Sequence, residues 1–488
     1  MEKFSIKERV ELPKDSLIRP SGESCFDFVT VNINSTFQQG LIPDGEEPSW
    51  GLLRLVAAAR KIHGLNAGIL DSHRLKLKPQ GIRAQLVNTR PSIIGINPTS
   101  VNVSEAQTVS RICDELEIPY IVGGVHATLD PKKAREDFST AAAIVRGSGE
   151  LVIGELIRNI KSGNKKIIKG VYYENADYDK DGFSPRLSPD DMPLVDSALI
   201  EDPILKQTIS FRGSSVEMSE FTMYANYGCP FSCSYCASPV LVDRENKETR
   251  SYQKASQNTI VNEIEYYMSE FGANAVHFLD NMLFVSSKDV WDFRAELEKR
   301  QLLGTFFWRG STRASVVEKF TNQDLEVLRD TNAWRIALGL ESGSEEVLKR
   351  IGKKITKQQV ETAVYKLATS GIQVKGFFIM GFPGETEEQI METAQFIIRL
   401  KRLGLSEVSL FQFKPYPGTR DFDYLKEHNP RALDNLSYLK KEHDEVTGKA
   451  KSKLDDNVWL PDSLRIAEIS SGQVRQYVML TLKEFYGK

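Results

Sequence analysis

Short, continuously apolar strands alternate with amphipathic helices along most of this 488-residue chain, in two separate series. Strands of that kind pair in parallel and need helices over both faces, so each series commits its part of the chain to an α/β architecture. The first series runs from about Asp27 to Gly163. "DFVTVNIN" leads into the helical "WGLLRLVAAARKIHG", and "AGILD" ends a second strand at Asp71. "SIIGINPTS" (92–100), "YIVGGVHAT" (120–128) and "AAAIVRGSGE" (141–150) supply three more strands, the last two running into glycine turns. The pattern predicts a doubly wound, Rossmann-like parallel sheet over residues 1–170, with ligands at the carboxyl ends of its strands.

The run "YYENADYDKDGFSPRLSPDDMPLVD" breaks the alternation with Asp, Pro, Gly and Ser, and predicts a hairpin and linker over 171–215. The second series then extends from about Phe221 to Asp421. Its candidate strands are 222–227, 275–279, 305–309, 334–340, 373–380 and 407–413, with helical periodicity between them. Six βα repeats are too few for the eight of a closed barrel. They predict a partial (β/α)6, TIM-like barrel over 216–430, its chemistry carried by loops at the carboxyl ends of the strands. After Pro430 a polar stretch, "LKKEHDEVTGKAKSKLDD", leads to a last helix, "ISSGQVRQYVMLTLKEFYG". This helical region, 431–488, is expected to cap the barrel.

Bulk properties narrow the function classes. Lys plus Arg number 63 and Asp plus Glu 66, a net charge of −3 that offers no basic footprint for nucleic acid or an anionic membrane. No apolar run approaches the roughly twenty residues of a membrane span, and "MEKFSIKERVELPKD" lacks the apolar core of a secretory signal. Five cysteines in such a length are no disulfide framework. The expectation is a soluble cytoplasmic protein.

Three of those cysteines, Cys229, Cys233 and Cys236, fall within "YGCPFSCSYC" (227–236), on the loop after the first strand of the second series. Structural zinc sites take four ligands. The histidines at 63, 73, 126, 277, 428 and 443 form no cluster, and Cys25 and Cys113 have no local partners and read as small buried hydrophobes. Two readings stay open on the loop alone. It is half of a zinc site completed from afar, or it holds an iron–sulfur cluster with one iron left open for a ligand.

A Cys-x3-Cys-x2-Cys loop with an aromatic residue, Tyr235, before its last cysteine resembles the signature of radical S-adenosylmethionine enzymes. The resemblance implies a [4Fe-4S] cluster on the three cysteines, whose open iron chelates the amino and carboxylate groups of S-adenosylmethionine. Reductive cleavage then gives a 5′-deoxyadenosyl radical, with the protein supplying position and exclusion of water. It implies further an external electron donor of flavodoxin or ferredoxin type and a small-molecule substrate. Later stretches match the family in order. "VHFLDNMLF" brings Asp280 and Asn281 to the methionine amine, and "FFWRGSTRASVV" brings Arg313 to its carboxylate. "ALGLESGSEEVLKRIGK" offers Glu341 and Ser342 to the ribose hydroxyls. "VKGFFIMGFPGETEEQI", with Gly381, corresponds to the fifth-strand motif against adenine, and "FQFKPYPGT" closes the sixth strand.

The first series resembles the cobalamin-binding domain that precedes the radical domain in one large subgroup. On that resemblance the cobalamin contacts are Thr99 and Ser100, then Gly123, Gly124, Val125 and His126 of the "GGVHA" turn, then Gly147 and Gly149 of "RGSGE". "DSHRLK" (71–76) superficially resembles the Asp-x-His-x-x-Gly sequence that ligates cobalt, but Lys76 replaces the glycine and the segment follows the second strand, so His73 is declined as a ligand. The alternative for the domain is a sheet that keeps its glycine turns for structural reasons and binds no cobalamin.

The leading expectation is therefore a cobalamin-dependent radical S-adenosylmethionine methyltransferase acting on an unactivated carbon of a small molecule. A second keeps the radical without methyl transfer, for oxidation, rearrangement or cyclisation. A third, from another class, is a non-catalytic iron–sulfur or zinc binding module. A methylthiotransferase is disfavoured, since Cys25 and Cys113 cannot supply three further ligands. No residue is assigned as general acid or base; Tyr224, Tyr227 and Tyr416 are candidates for lining the pocket.

Overall fold

The computed structural model describes residues 26–33, 48–99, 102–174, 182–200, 203–241, 252–434, 460 and 463–487. The first sheet comprises β1 (Phe28–Asn32), β2 (Ala67–Asp71), β3 (Ile94–Ile96), β4 (Tyr120–Val122), β5 (Ala143–Val145) and β6 (Val171–Tyr172). Between them run α1 (Trp50–Lys61), α2 (Pro79–Thr89), α3 (Val103–Glu115), α4 (Gly124–Leu129), α5 (Pro131–Asp137) and α6 (Ile153–Ser162). The strand order is β2-β1-β3-β4-β5-β6, parallel except for β6. Since β2 lies on one side of β1 and β3 to β5 on the other, the winding reverses between β1 and β3, where a crevice opens at the strand ends. The doubly wound sheet read from the alternation is the sheet observed.

Two of its strands are shorter than the apolar runs suggested. The third stops at Ile96 because the chain turns toward Asn102, whose Oδ1 accepts from the Thr99 N–H at 2.7 Å. The fourth stops at Val122, and the rest of "YIVGGVHAT" winds into α4 through Gly124, whose φ of +81° closes the strand off.

The second sheet comprises β7 (Leu205–Phe211), β8 (Ser214–Met223), β11 (Ala275–Phe278), β12 (Phe307–Thr312), β13 (Ala333–Glu341), β14 (Gln373–Met380) and β15 (Leu405–Gln412). A two-residue pairing of β9 (Tyr227–Gly228) with β10 (Tyr252–Gln253) stands apart. The helices α7 (Gln257–Phe271), α8 (Ser287–Lys299), α9 (Ala314–Val317), α10 (Asn322–Asp330), α11 (Glu345–Arg350), α12 (Lys357–Thr369) and α13 (Glu387–Arg402) connect the strands. After β15 follow α14 (Arg420–His428), α15 (Pro430–Asp434) and α16 (Ser471–Tyr486). The order β15-β14-β13-β12-β11-β8-β7 gives six parallel strands plus β7, antiparallel to β8. This is the open half-barrel expected from six βα repeats, widened by a strand lying inside the stretch read as linker.

Strand alternation builds its wall. On β14, Val374, Gly376, Phe378 and Met380 are buried, while Lys375, Phe377 and Ile379 occupy the opposite, more open face. The helices start on side-chain caps: Thr321, Thr356 and Thr386 each close a capping box. Helix α16 packs on β15 and α13, Gln412 Nε2 donating to Ser471 O at 3.0 Å and the Tyr477 hydroxyl to Glu387 Oε1 at 2.6 Å. Among the described residues no helix is long and apolar enough to cross a membrane.

The half-barrel carries a bidentate ion pair on its first strand. Glu220 is fully buried and accepts from Arg309 Nε at 3.0 and 2.9 Å, and from Nη2 at 2.5 Å. Removing one partner strands a buried charge, a larger cost than removing both. Arg309→Met is expected to destabilise the protein by about 3–5 kcal/mol, with most of that loss recovered in Glu220→Gln/Arg309→Met. Thermal unfolding of the single and double variants checks both statements.

Candidate active site

The cysteine loop begins where β8 is stopped. Asp280, after β11, is buried, and its carboxylate accepts from the N–H groups of Ala225 (2.9 Å) and Asn226 (2.6 Å). Those two donors are lost to any strand ladder, so the first strand ends at Met223, earlier than its apolar pattern suggested. Further along, Ser234 N–H donates to Ile351 O at 2.9 Å, and Ser232 O accepts from Arg420 Nη2 at 2.6 Å. The loop is thus tied to the ends of α11 and α14.

Cys229, Cys233 and Cys236 are free thiols, each half-buried. Burial pushes Cys229 and Cys236 up, and the neighbouring thiols push the same way, while Arg313 and Lys353 oppose the rise at Cys229. Among the described residues no three His, Cys, Asp or Glu side chains converge tightly enough to hold a single metal ion. As a donor set the loop fits an iron–sulfur cluster: three thiols stand on one short segment, and burial disfavours the anions of Cys229 and Cys236 until a cationic centre joins them. Arg313 Nη1 lies 3.8 Å from Cys233 Sγ, its guanidinium 3.8 Å over the Phe231 ring, and its buried Nε has no partner.

The other expected S-adenosylmethionine residues divide. Glu341 ends β13 at a register shift, with φ +66°, and pairs with Lys353 at 2.6 Å, both side chains buried. The close approach requires Gly339, where an added Cβ would lie 2.7 Å from both Glu341 Oε1 and Lys353 Nζ. The Tyr235 hydroxyl bonds to Glu341, and its ring meets Phe382 edge-on at 5.5 Å. Burial, then Glu341, then the thiols hold the Tyr235 phenol well above its ordinary range, so it stays a neutral donor. Gly381 lies in the adjoining turn, with φ +90°.

Asp280 and Ser342, by contrast, are directed to protein partners. Ser342 Oγ bonds Thr393 Oγ1 at 3.0 Å and accepts the Ser344 N–H at 3.1 Å, fastening α11 to α13. Asn281 lies at the surface and donates to Ser238 Oγ at 2.8 Å. These three shape the site, and the side chains converging near the thiols are Arg313, Tyr235, Glu341 and Lys353. Sequence reading missed Lys353 and Glu385. Glu385 is fully buried, accepts from the N–H groups of Gly381 (2.6 Å) and Phe382 (2.9 Å), and leaves Oε1 without a partner. The sequence signal for each was a charged residue inside a motif already singled out, "KRIGKK" and "GFPGE".

A cavity of about 210 Å³ opens at the switch point of the first sheet. Gly123, Gly124, Gly147 and Gly149 line it, together with Asn97 and Glu150, which sequence reading passed over. An ideal Cβ on Gly124 would fall 1.5 Å from Asn97 Oδ1, so only glycine leaves that amide its place. Asn97 Oδ1 and Glu150 Oε2 are buried acceptors without partners. Two such acceptors and a bare glycine wall suit a donor-bearing part of a ligand larger than the cavity, as an arm of cobalamin would be.

Three further residues expected at this end of the sheet, Thr99, Val125 and His126, do not line the cavity. Thr99 turns back to Asn102, its hydroxyl donating to Oδ1 at 3.1 Å, because that side chain organises the start of α3. His126 is buried and bonds Asp137 Oδ2 at 2.9 Å, joining α4 to α5. Val125 is exposed on α4. Ser100 lies outside the described residues. Of the three tyrosines, Tyr224 is exposed, whereas Tyr227 and Tyr416 are half-buried with phenols pushed up by burial, Tyr227 to about 12.

Residues 223–397 match the Radical SAM superfamily. The chain is 27% identical over 389 residues to an uncharacterized methyltransferase of Pyrococcus horikoshii, spanning 78% of this chain and 79% of that protein. It is 25% identical over 334 residues to the anaerobic magnesium-protoporphyrin IX monomethyl ester cyclase of Rubrivivax gelatinosus, covering 66% of this chain and 57% of the cyclase. Its fold is similar to that of the radical S-adenosylmethionine methyltransferase TsrM from Kitasatospora setae, solved with cobalamin and a [4Fe-4S] cluster bound. The TM-score is 0.62 at 16% identity, over 83% of this chain and 75% of that one.

Burial raises the Glu385 carboxyl to about 7 despite the two N–H donors on it. A raised acid favours the fold below its unfolded value of about 4.5, and that advantage fades as pH climbs through 7. Glu385→Gln keeps an acceptor and removes the proton. The melting temperature of the variant relative to the unsubstituted protein is expected to rise between pH 5 and pH 8, and a flat difference would count against this assignment.

Proposed function

We propose, with a radical SAM domain across residues 223–397 as the premise, that this chain is a cobalamin-dependent radical S-adenosylmethionine methyltransferase acting on a carbon of a small molecule. The observation that carries the proposal is a juxtaposition. The cysteine loop leaves the carboxyl end of one sheet, the cavity opens at the carboxyl end of the other, and α1 touches both.

In this reading Cys229, Cys233 and Cys236 would hold the cluster. When bound, a [4Fe-4S] centre with S-adenosylmethionine supplies the 5′-deoxyadenosyl radical, and cobalamin supplies a methyl carrier. The chain's own residues do the rest. Arg313, with Nη1 near Cys233 and its Nε unspent, would be the cation for the carboxylate of a bound S-adenosylmethionine. Glu341 is held by Lys353 and Tyr235 at a strained strand end, as an acceptor that would face the ribose hydroxyls. Glu385 sets the 381–382 turn against an apolar ring face at Phe382. Asn97 and Glu150 would accept from amide donors of a bound cobalamin, and Gly123, Gly124, Gly147 and Gly149 would let backbone approach it. Asp280 shapes the loop rather than binding the methionine amine directly. An external flavodoxin- or ferredoxin-like donor would reduce the cluster.

The similarity to the anaerobic cyclase favours a second reading, in which the same radical oxidises or cyclises its substrate without methyl transfer. Anaerobic incubation with S-adenosylmethionine and a strong reductant separates the two. Methyl transfer gives 5′-deoxyadenosine together with cobalamin-dependent S-adenosylhomocysteine, and the second reading gives 5′-deoxyadenosine alone.

Each of Cys229→Ala, Cys233→Ala and Cys236→Ala is expected to reduce bound iron and sulfide to background while circular dichroism is unchanged. Full iron in any one of them, or colourless protein with stoichiometric zinc, would overturn the cluster assignment.

A further inference from the structure

Helix α1 lies between the two sheets. Gly51, Leu52 and Leu55 line the cavity of the first. From the same helix Trp50 Nε1 donates to Thr222 Oγ1 of β8 at 2.9 Å, and its ring meets Tyr267 of α7 edge-on at 5.4 Å. One turn on, Arg54 is 7% exposed. Its Nη2 donates to the Tyr224 carbonyl at 2.6 Å, its Nη1 to the Tyr227 hydroxyl at 3.1 Å, and Glu263 Oε2 of α7 lies 3.7 Å away. Burial works against this charge, yet Tyr227, Glu263, Tyr267 and Asp280 outweigh it and raise the guanidinium above its ordinary range.

The Tyr227 ring is flanked by two guanidiniums, Arg54 at 5.4 Å and Arg186 at 5.3 Å from its centroid. Glu150, in the cavity wall, faces both cations and keeps one buried oxygen without a partner. Cys229 follows Tyr227 by two residues. A continuous path of contacts therefore runs from the cavity wall, through Arg54, to the start of the cysteine loop. Helix α1 cannot shift against that loop without breaking buried, charge-assisted hydrogen bonds.

We propose that Arg54 is a positioning residue that couples the two cofactor sites, so that a corrin in the cavity and a cluster on the loop hold each other in place. This deepens the cofactor reading above and rests on it. A ligand seated against Gly51, Leu52 and Leu55 fixes α1, and α1 fixes Tyr224 and Tyr227 through Arg54. Coupling of this kind is reciprocal.

The test uses anaerobically purified iron–sulfur protein and hydroxocobalamin. Cobalamin affinity is measured by absorbance titration, and the rate of iron loss to a colorimetric chelator is measured with and without saturating cobalamin. In the unsubstituted protein cobalamin is expected to slow iron loss about tenfold, within the usual range of coupling between sites. Arg54→Ala is expected to bind cobalamin and carry its cluster, but to lose iron at the same rate in both conditions; Arg54→Lys recovers part of the protection. A merely structural role would speed iron loss equally in both conditions and leave the ratio intact. Should Arg54→Ala not fold, Tyr227→Phe keeps the ring and removes one hydrogen bond, and its ratio must fall. Cobalamin binding without protection, or full protection in the variants, overturns the coupling alone. Failure of the unsubstituted protein to bind cobalamin overturns the cofactor reading beneath it.

Discussion

The site depends on one buried carboxylate. Asp280 takes two consecutive backbone N–H groups out of the sheet, and that capture ends β8 and turns the chain toward the cysteines. Burial alone would keep the acid protonated, and it does raise the group to about 6, against the pull of the two N–H donors. The two backbone N–H donors favour the anion against that burial, through charge-assisted hydrogen bonds that a neutral side chain could not reproduce. Asn226 extends this arrangement, donating to Leu283 O at 3.0 Å and accepting from Ala255 N–H at 3.2 Å. The loop's starting point is therefore set by polar contacts, in a region where packing could not specify a turn.

Around the three thiols the charges are arranged in the same sense. Arg313 and Lys353 are buried cations whose charge opposes the upward push that burial gives Cys229. Lys353 is paired with Glu341, whereas Arg313 is stacked on Phe231 with its Nε unspent. A buried guanidinium with an idle donor is costly unless a ligand completes it. That asymmetry makes Arg313, of the two, the group available to an incoming carboxylate.

Periodicity made the layers legible. Continuous apolar strands and helical stripes follow from burial on two faces, and burial is what the sheet orders β2-β1-β3-β4-β5-β6 and β15-β14-β13-β12-β11-β8 satisfy. The cysteine spacing was legible too, because a ligand set on one loop is local. Side-chain direction was not. Nothing in "GGVHAT" tells that His126 turns to Asp137 across a helix corner, or in "LESG" that Ser342 turns to Thr393, 51 residues away. Asn97 and Glu150 were missed for the same reason: each matters through an orphaned oxygen in a cavity wall, a property of tertiary packing alone. Strand ends were misjudged where a side chain took backbone donors, from far along the chain at Asp280 and from the next turn at Asn102.

The contact between the two layers is made through charge where apolar packing would have served stability at least as well. Arg54 is desolvated, and a buried ion pair gains little over a hydrophobic substitute of the same volume. What the guanidinium adds is direction. Its two hydrogen bonds run to a carbonyl and a hydroxyl at fixed angles, whereas leucine side chains in that space would tolerate a sliding helix. A chemistry that must pass between two cofactors needs their separation held to a fraction of an ångström, and misplacement of that order is costly to rate. Stability surrendered at Arg54 in exchange for a fixed register between the crevices is what such a reaction requires of its scaffold.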